Sequence, residues 1–378
     1  MLLDFSAAFD TIDHIGYHIL ISRLQFIGIT GTALRWFQSY LQNRFQSVNI
    51  NGSLSKSTPI SYGVPQGSVL GPLLFTLYSS PLADIAHRHD VSIHMYADDT
   101  QLYLPFDPNS ADGELLARHR VEKCISEMKS WMLSNKLKLN DEKSELLILS
   151  PKQQIRRVMD ESIKVGDTVV KAVPAARNLG AMFDNVLSMD RHIKKICQAA
   201  YFQIRNVNSI RKTLCDKSAA IIIHALITCR LDCGNALLVG LPDSQIQKLQ
   251  RVQNSAARLL TMTKKFDSIT PILKKLHWLP VHWRIRYKII LLTWKALNGM
   301  APEYLGDLVR PYVPTRRLRS SGKKLLVVPR FVSKYGSRSF AVTSPKLWND
   351  LPVDLRSCSS LVVFKTRLKS HLFHAAFP

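Results

Sequence analysis

Apolar and polar positions alternate on both sides of a short acidic break at residues 96–99. Before it, Val91, Ile93 and Met95 are apolar while Ser92 and His94 are more polar; after it, Leu102 and Leu104 stand against Gln101 and Tyr103. Period two on either side of Tyr96-Ala97-Asp98-Asp99 predicts a β-hairpin with two carboxylates at its tip. Adjacent aspartates repel unless something positive lies between or beside them. An acidic turn is ordinary on its own, since Asp favours turns. Its weight depends on the other elements the pattern predicts.

Residues 1–5 read as a short apolar strand carrying Asp4. Ile19, Leu20, Leu24 and Ile27 follow at helical spacing, with Gly28 as a stop. A second helix is predicted over 32–43, with Leu34, Phe37 and Leu41 on one face. Segments 45–50 and 56–61 read as a hairpin around Asn51-Gly52, a strong turn signal. Residues 63–72 hold three glycines and two prolines, a shaped loop that lets something approach the backbone closely. One apolar helix is expected over 73–86. A further helix is expected over 112–134, marked by Leu115, Leu116, Cys124, Ile125, Met128 and Trp131. Segments 136–140 and 144–149 read as a strand pair. Segments 165–170 and 175–184 form another β element, around Asn178-Leu179-Gly180.

From Met189 the spacing becomes helical. Ile193, Ile196, Ala200, Ile204 and Val207 make an apolar stripe, and Arg191, Lys194, Lys195, Arg205 and Arg211 lie largely off it. More helices are predicted over 217–236, 242–262 and 282–297. Residues 308–349 then hold ten Lys or Arg and no acid. Their prolines and serines suit an extended basic arm with short strands such as 325–328, and Trp348 and Leu351 predict that it docks back on the body.

Composition sharpens this picture in one respect. The chain has 378 residues, enough for two or three domains, and a formal net charge of +23. So large a basic excess points to a polyanionic partner, nucleic acid first; the alternatives are a generally basic soluble protein or a binder of anionic membranes. No apolar run reaches the roughly 20 residues of a membrane span, so no membrane role is expected. The six cysteines follow no framework spacing, which fits a reduced intracellular protein better than a secreted one. Cys229 and Cys233 are spaced like half a zinc site, but with no second pair at knuckle spacing they read as core cysteines on a helix. Arg316 to Lys324 could serve as a nuclear signal.

Asp4 at a strand end, the 63–72 loop, and Asp98 with Asp99 at a hairpin tip suit phosphoryl transfer. That chemistry asks the protein mainly for carboxylates that hold Mg²⁺ against phosphates and the attacking oxygen. Asp4 and Asp98 are the candidate metal ligands, with Asp99 beside them.

These motifs resemble those of reverse transcriptases. Leu3-Asp4-Phe5-Ser6-Ala7-Ala8-Phe9-Asp10 is similar to motif A, Gly63-Val64-Pro65-Gln66-Gly67-Ser68 to motif B, and Tyr96-Ala97-Asp98-Asp99 to motif C. Residues 140–143 resemble motif D and Asn178-Leu179-Gly180 motif E. The order and spacing are closest to non-LTR (LINE-type, jockey-like) retrotransposons, and residues 231–372 resemble the C-terminal region of those elements. The resemblance implies an RNA-directed DNA polymerase that uses Mg²⁺ (Mn²⁺ as a substitute), an RNA template, a DNA primer and deoxynucleoside triphosphates. It implies catalytic metals on Asp4, Asp98 and Asp99, and a steric-gate role for Phe9. Gln66, Gly67 and Tyr96 would lie at the nucleotide, and Lys143 would act as general acid to pyrophosphate. Arg191, Lys194, Lys195, Arg316 and Arg317 are the candidate nucleic-acid contacts.

The expected fold is α+β: a right-hand polymerase palm with partial fingers over 1–186, a helical thumb or connection over 187–300, and a basic C-terminal region over 301–378. Because Met1 lies three residues before Asp4, most of the fingers and an endonuclease are expected to be missing and polymerase activity impaired. The alternative is an inactive nucleic-acid-binding remnant.

Overall fold

The computed structural model describes residues 1–6, 18–60, 63, 68–107, 109–110, 112–155, 158, 161–166, 168–314, 316, 323–331, 333 and 335–378. Phe9, Gln66, Gly67 and Arg317 lie outside the described residues. The chain divides into two compact units, Met1–Val186 and Leu187–Pro378.

The first unit is α+β, and its strand pairs are antiparallel. Its N-terminal strand is split at Asp4 into β1 (Leu2–Leu3) and β2 (Phe5–Ser6). Helices α1 (His18–Phe26) and α2 (Gly31–Leu41) follow. Four two-residue strands come next: β3 (Phe45–Gln46), β4 (Asn49–Ile50), β5 (Ser53–Leu54) and β6 (Thr58–Pro59). They form nested pairs, β3 with β6 and β4 with β5. Asn51 and Gly52 both take positive φ at the tip, at 50° and 87°. Only such a turn matches the twist of the flanking strands, and Asn-Gly supplies it cheaply.

The helix predicted over 73–86 is two helices, α3 (Gly71–Ser79) and α4 (Pro81–Arg88). Pro81 lacks the N–H that would continue the ladder and instead starts a new helix. Strands β7 (Ser92–Tyr96) and β8 (Asp99–Tyr103) form the predicted hairpin, and β1 adds to β8 to give the sheet order β1-β8-β7. Helix α5 (Gly113–Ser134) backs the core with Val121, Cys124, Ile125, Met128 and Met132. Leu115 and Leu116, read as apolar markers of that face, are exposed. They precede the first buried turn, which begins at Val121.

Segments 136–140 and 144–149 do not pair with each other. Strand β9 (Lys138–Leu139) pairs with β2, and Glu145 bridges Leu2. The long-range partner wins because it closes the sheet over the core, where Leu3, Phe5 and Leu139 are buried. After the short helix α6 (Lys152–Ile155) come two hairpins, β10 (Ser162–Val165) with β11 (Thr168–Lys171), and β12 (Ala175–Asn178) with β13 (Ala181–Asp184). Gly166, at φ 60°, breaks the segment read as a single strand over 165–170. The 175–184 hairpin turns at Leu179-Gly180, as the sequence predicts.

The second unit is helical. Helix α7 (Asp190–Ile210) buries Ile193, Ala200 and Val207 of the predicted stripe. Arg211, read as one of the cations off that stripe, is buried. The helix expected over 217–236 is α8 (Asp216–Ile223), a π turn (His224–Thr228) and α9 (Cys229–Asp232), ending before Gly234 at φ 61°. Cys229 and Cys233 are both exposed, which corrects their reading as core cysteines; they follow the turn where the wider π coil rotates the helix face.

Beyond them lie α10 (Asp243–Thr261), α11 (Ile269–Lys275), α12 (Val281–Leu297) and α13 (Glu303–Asp307). The chain ends in α14 (Phe340–Asn349), α15 (Val353–Arg356) and α16 (Leu361–Ala376). Trp294 of α12, Trp348 of α14 and Phe364 of α16 meet in one apolar cluster with Leu279, Leu351 and Leu368. Trp294 and Phe364 stack with centroids 5.4 Å apart. Trp348 therefore docks the basic C-terminal segment, and the residues after 300 share a core with those before it. No helix among the described residues is long and apolar enough to cross a membrane.

Candidate active site and nucleic-acid groove

The carboxylates reach one place through register. Leu3 pairs with Thr100 and Tyr96 with Asp99, so the next step along β1 sets Asp4 abreast of Asp99. The hairpin turns on two residues, Ala97 and Asp98. Ala97 takes φ 53°, a left-handed conformation in which a side chain is strained by about 1 kcal/mol or more. Buried Leu3 and Leu102 anchor the strands on either side, so packing holds the turn in that conformation.

Electrostatics report the same convergence. The Asp99 carboxyl is raised above its usual pKa, first by desolvation and then by the negative charges of Asp98 and Asp4; Arg177 of β12 opposes the rise. Three carboxylates massed with one arginine nearby form a site that a cation would stabilise. Among the described residues, no three His, Cys, Asp or Glu side chains close into a ready-made metal cage. Mg²⁺ does not require one: it is commonly held by one or two carboxylates, with phosphates and water completing its shell. The donor set at Asp4, Asp98 and Asp99 fits that mode.

Asn140 was not singled out as a site residue by the sequence. Its Nδ2 donates to Asp4 Oδ2 at 3.2 Å, and its backbone N–H donates to the Asp4 carbonyl at 2.8 Å. Its own Oδ1 accepts from the Lys143 backbone N–H at 3.3 Å. Lys143 is exposed in this turn. Next to it, Asp141 pairs with Lys129 of α5 at 2.5 Å, tying the turn to the helix. Tyr96 is exposed beside the acidic tip. In the 63–72 loop, Ser68 Oγ accepts from the Gly71 N–H at 3.0 Å, while Gly63 sits at φ 86°.

The second unit holds a basic groove of about 740 Å³ between α7 and α10. Arg191, Lys194 and Arg205 of α7 face Lys248 and Arg251 of α10 across it, with Asp190, Cys197, Gln198 and Tyr201 completing the walls. Arg191 and Lys194 were expected at a nucleic-acid surface. Lys195 is exposed but does not line the groove, being one residue round the helix from Lys194. Lys248 and Arg251 carry no local signal; only the packing of α10 on α7 brings them in. Arg316 is exposed.

Comparison with known proteins accounts for these features. Residues 1–181 match the family model of reverse transcriptase (RNA-dependent DNA polymerase). The chain is 28% identical over 203 residues to the "RNA-directed DNA polymerase from mobile element jockey" of Drosophila melanogaster, covering 52% of this chain and 21% of that protein. It is 25% identical over 268 residues to the "Probable RNA-directed DNA polymerase from transposon X-element" of the same organism, covering 69% of this chain and 28% of that protein. A further likeness, 25% over 275 residues, is to the "Probable RNA-directed DNA polymerase from transposon BS", also of that fly, with 69% and 28% covered. The chain thus spans less than a third of the length of each of these relatives. Reverse transcriptases use divalent metal, an RNA template, a primer and nucleotides. With its acidic hairpin, its motif order and these likenesses, the chain is similar to LINE-type reverse transcriptases, over residues 1–181 by the family model and over 52% to 69% of its length by these relatives.

Proposed function

We propose that the chain is an RNA-directed DNA polymerase that joins deoxynucleotides to a DNA primer on an RNA template. The observation that carries this reading is the register that sets Asp4 abreast of Asp99 at the end of the β1-β8-β7 sheet. Asp4 and Asp98 would hold Mg²⁺, with Mn²⁺ as a substitute, and Asp99 supports them. When bound, the metal supplies charge stabilisation to the phosphates and the attacking oxygen.

The chain's own residues do the rest. Asn140 fixes the rotamer of Asp4 by donating to one of its oxygens, leaving the other free. Arg177 offsets part of the acidic charge when the site is empty. The first unit acts as the palm. The second acts as the thumb, and its groove cations hold the duplex by its phosphates, which gives affinity without reading sequence. Phe9, Gln66 and Gly67 are assigned to the sugar and base of the incoming nucleotide, Tyr96 to the same site, and Lys143 to the leaving pyrophosphate. Site of action is assigned to the nucleus, on the exposed basic residues Arg316, Lys323 and Lys324.

The test is primer extension on poly(rA)–oligo(dT) with dTTP and Mg²⁺ or Mn²⁺, beside Asp98→Ala. Extension by the wild type and none by the variant is the expected result; equal extension by both overturns the assignment of Asp98. A second reading, nucleic-acid binding without catalysis, is favoured by the groove, whose cations need no carboxylate site. Salt-sensitive duplex binding in both proteins, with extension in neither, would leave that reading alone.

A further inference from the structure

Helix α2 carries a column of side chains that neither the carboxylate site nor the groove uses. Trp36 stacks on Tyr40 with ring centroids 5.5 Å apart and planes within 12°. The Arg44 guanidinium lies over the Tyr40 ring, 4.9 Å from its centroid, and its Nη1 donates to the Tyr40 carbonyl at 3.0 Å. Trp36 and Tyr40, four residues apart, share one face of the helix, and Arg44, beyond the helix end, reaches back to Tyr40. Phe37 meets the Trp36 ring edge-on at 5.1 Å and fixes its tilt.

The core does not account for Trp36. Helix α2 already buries Leu34 and Leu41, and Phe37 and Tyr40 pack partly against the core. Trp36 is outside that cluster and 53% exposed. Phe45, at the start of the neighbouring hairpin, is 63% exposed. Exposed aromatic area, held flat by neighbours, marks a contact surface.

Charge selects the occupant. Between Asp13 and Asp84 the sequence contains no Asp or Glu, whereas Arg23, Arg35, Arg44 and Lys56 fall within it. A second copy of a +23 chain is repelled by such a surface. A single strand of nucleic acid offers what the column lacks, namely flat π faces to extend a stack and phosphates for arginines. We propose that the outward face of α2, with Trp36 as its terminal platform and Tyr40 and Arg44 behind it, is a stacking site for single-stranded nucleic acid. The proposal rests on the chain being a handler of nucleic acid but not on its catalysis.

The test is fluorescence anisotropy with labelled twelve-nucleotide oligo(U) and oligo(dT), and with a labelled RNA–DNA hybrid. Trp36→Ala weakens single-strand binding about tenfold, the worth of one stacked base, while Trp36→Phe stays within about threefold of wild type and hybrid binding is unchanged. Unchanged single-strand affinity overturns the proposal, as does an equal loss for strand and hybrid. A measurement on the unmutated chain stands beside it: photocrosslinking of 4-thiouridine oligo(U) followed by trypsin, which releases Trp36–Arg44 as one peptide. Crosslinks on that peptide are expected, and crosslinks confined to other peptides overturn the site. Trp36-dependent sedimentation with phosphatidylserine vesicles, without Trp36-dependent oligomer binding, assigns the face to lipid instead. Asp98→Ala keeps single-strand binding, so loss of the polymerase reading and loss of this one are told apart.

Discussion

The side-chain amide of Asn140 donates to Asp4 Oδ2 across 136 residues of sequence. A carboxylate with two oxygens and two rotatable bonds samples several poses; one fixed donor removes some of them. Partners of this kind around metal-binding carboxylates typically contribute 10–100-fold in metal affinity or activity. Asn140→Ala is therefore expected to raise the Mg²⁺ concentration for half-maximal effect about tenfold. Asn140→Ser, which keeps a donor, should fall between. The check is a Mg²⁺ titration of primer extension, with thermal unfolding to confirm that the fold persists.

The crowded carboxylates give a pH dependence of definite sign. Asp99 has a folded pKa above its unfolded one, so the folded state binds the proton more tightly. Stability then falls as pH rises from the unfolded value through the folded one, and stays lower at neutral pH. Asp99→Asn abolishes that decline, and its melting midpoint at pH 7 should exceed that of wild type. Asp98→Asn, which removes a neighbouring charge, should act in the same direction. Mg²⁺ should stabilise wild type more than either variant. Melting curves at pH 4 and pH 7, with and without Mg²⁺, decide the matter.

The N-terminal amine behaves in the opposite way. It is buried, donates to the Leu102 carbonyl at 2.8 Å, and is lowered by desolvation to about 6 from an ordinary 8.0. Between those values the unfolded chain holds more protons, so stability rises with pH through this window. Two pKa units correspond to about 3 kcal/mol. His192, His224 and His282, all lowered first by desolvation, add to the same trend. Nα-acetylation isolates the Met1 share: urea unfolding at pH 5.5 and 8.5 should show a smaller difference for the acetylated chain.

Arg211 offers a test of the second unit's architecture. Its buried guanidinium donates to the carbonyls of Leu259 at 3.0 Å, Leu260 at 2.7 Å and Leu214 at 2.9 Å, and pairs with Asp216 at 2.5 Å. It thus satisfies the open C-terminal carbonyls of α10. Arg211→Ala leaves those carbonyls unpaired and should cost about 3 kcal/mol or more. Arg211→Lys should lose nearly as much, because an ammonium lacks the fork that reaches several carbonyls. Urea unfolding of both variants is the measurement.

Local pattern made some of this legible and could not make the rest so. The 92–103 hairpin, the Asn51-Gly52 turn and the Leu179-Gly180 turn depend on residues adjacent in sequence, and alternation plus turn chemistry reveals them. The pairing of β9 with β2 depends on residues about 130 apart and leaves no local mark. The π turn after α8 contains neither Gly nor Pro, so the helical spacing reads straight through it. Arg211 looks like any solvated cation until α10 presents its carbonyls. Of the candidate site, the three aspartates were visible as motifs. Asn140 was visible as a residue but not as the partner of Asp4, since nothing in sequence sets the distance between two strand ends.

The groove yields the last prediction, because its two walls differ in how they were found. Arg191 and Lys194 come from one helix, Lys248 and Arg251 from another. If phosphates bind between the walls, both sets matter equally, and a cation of the same helix that faces elsewhere does not. Lys248→Glu and Lys194→Glu should each weaken hybrid binding at 100 mM salt. Each should also reduce the slope of log affinity against log salt by about 1, as expected when one phosphate contact is lost. Lys195→Glu carries the same change in net charge but does not line the groove, so its slope should stay near that of wild type. Equal effects of Lys195→Glu and Lys248→Glu would mean that net charge, and not the groove, draws the nucleic acid. Anisotropy titrations of a labelled RNA–DNA hybrid at several salt concentrations separate the two.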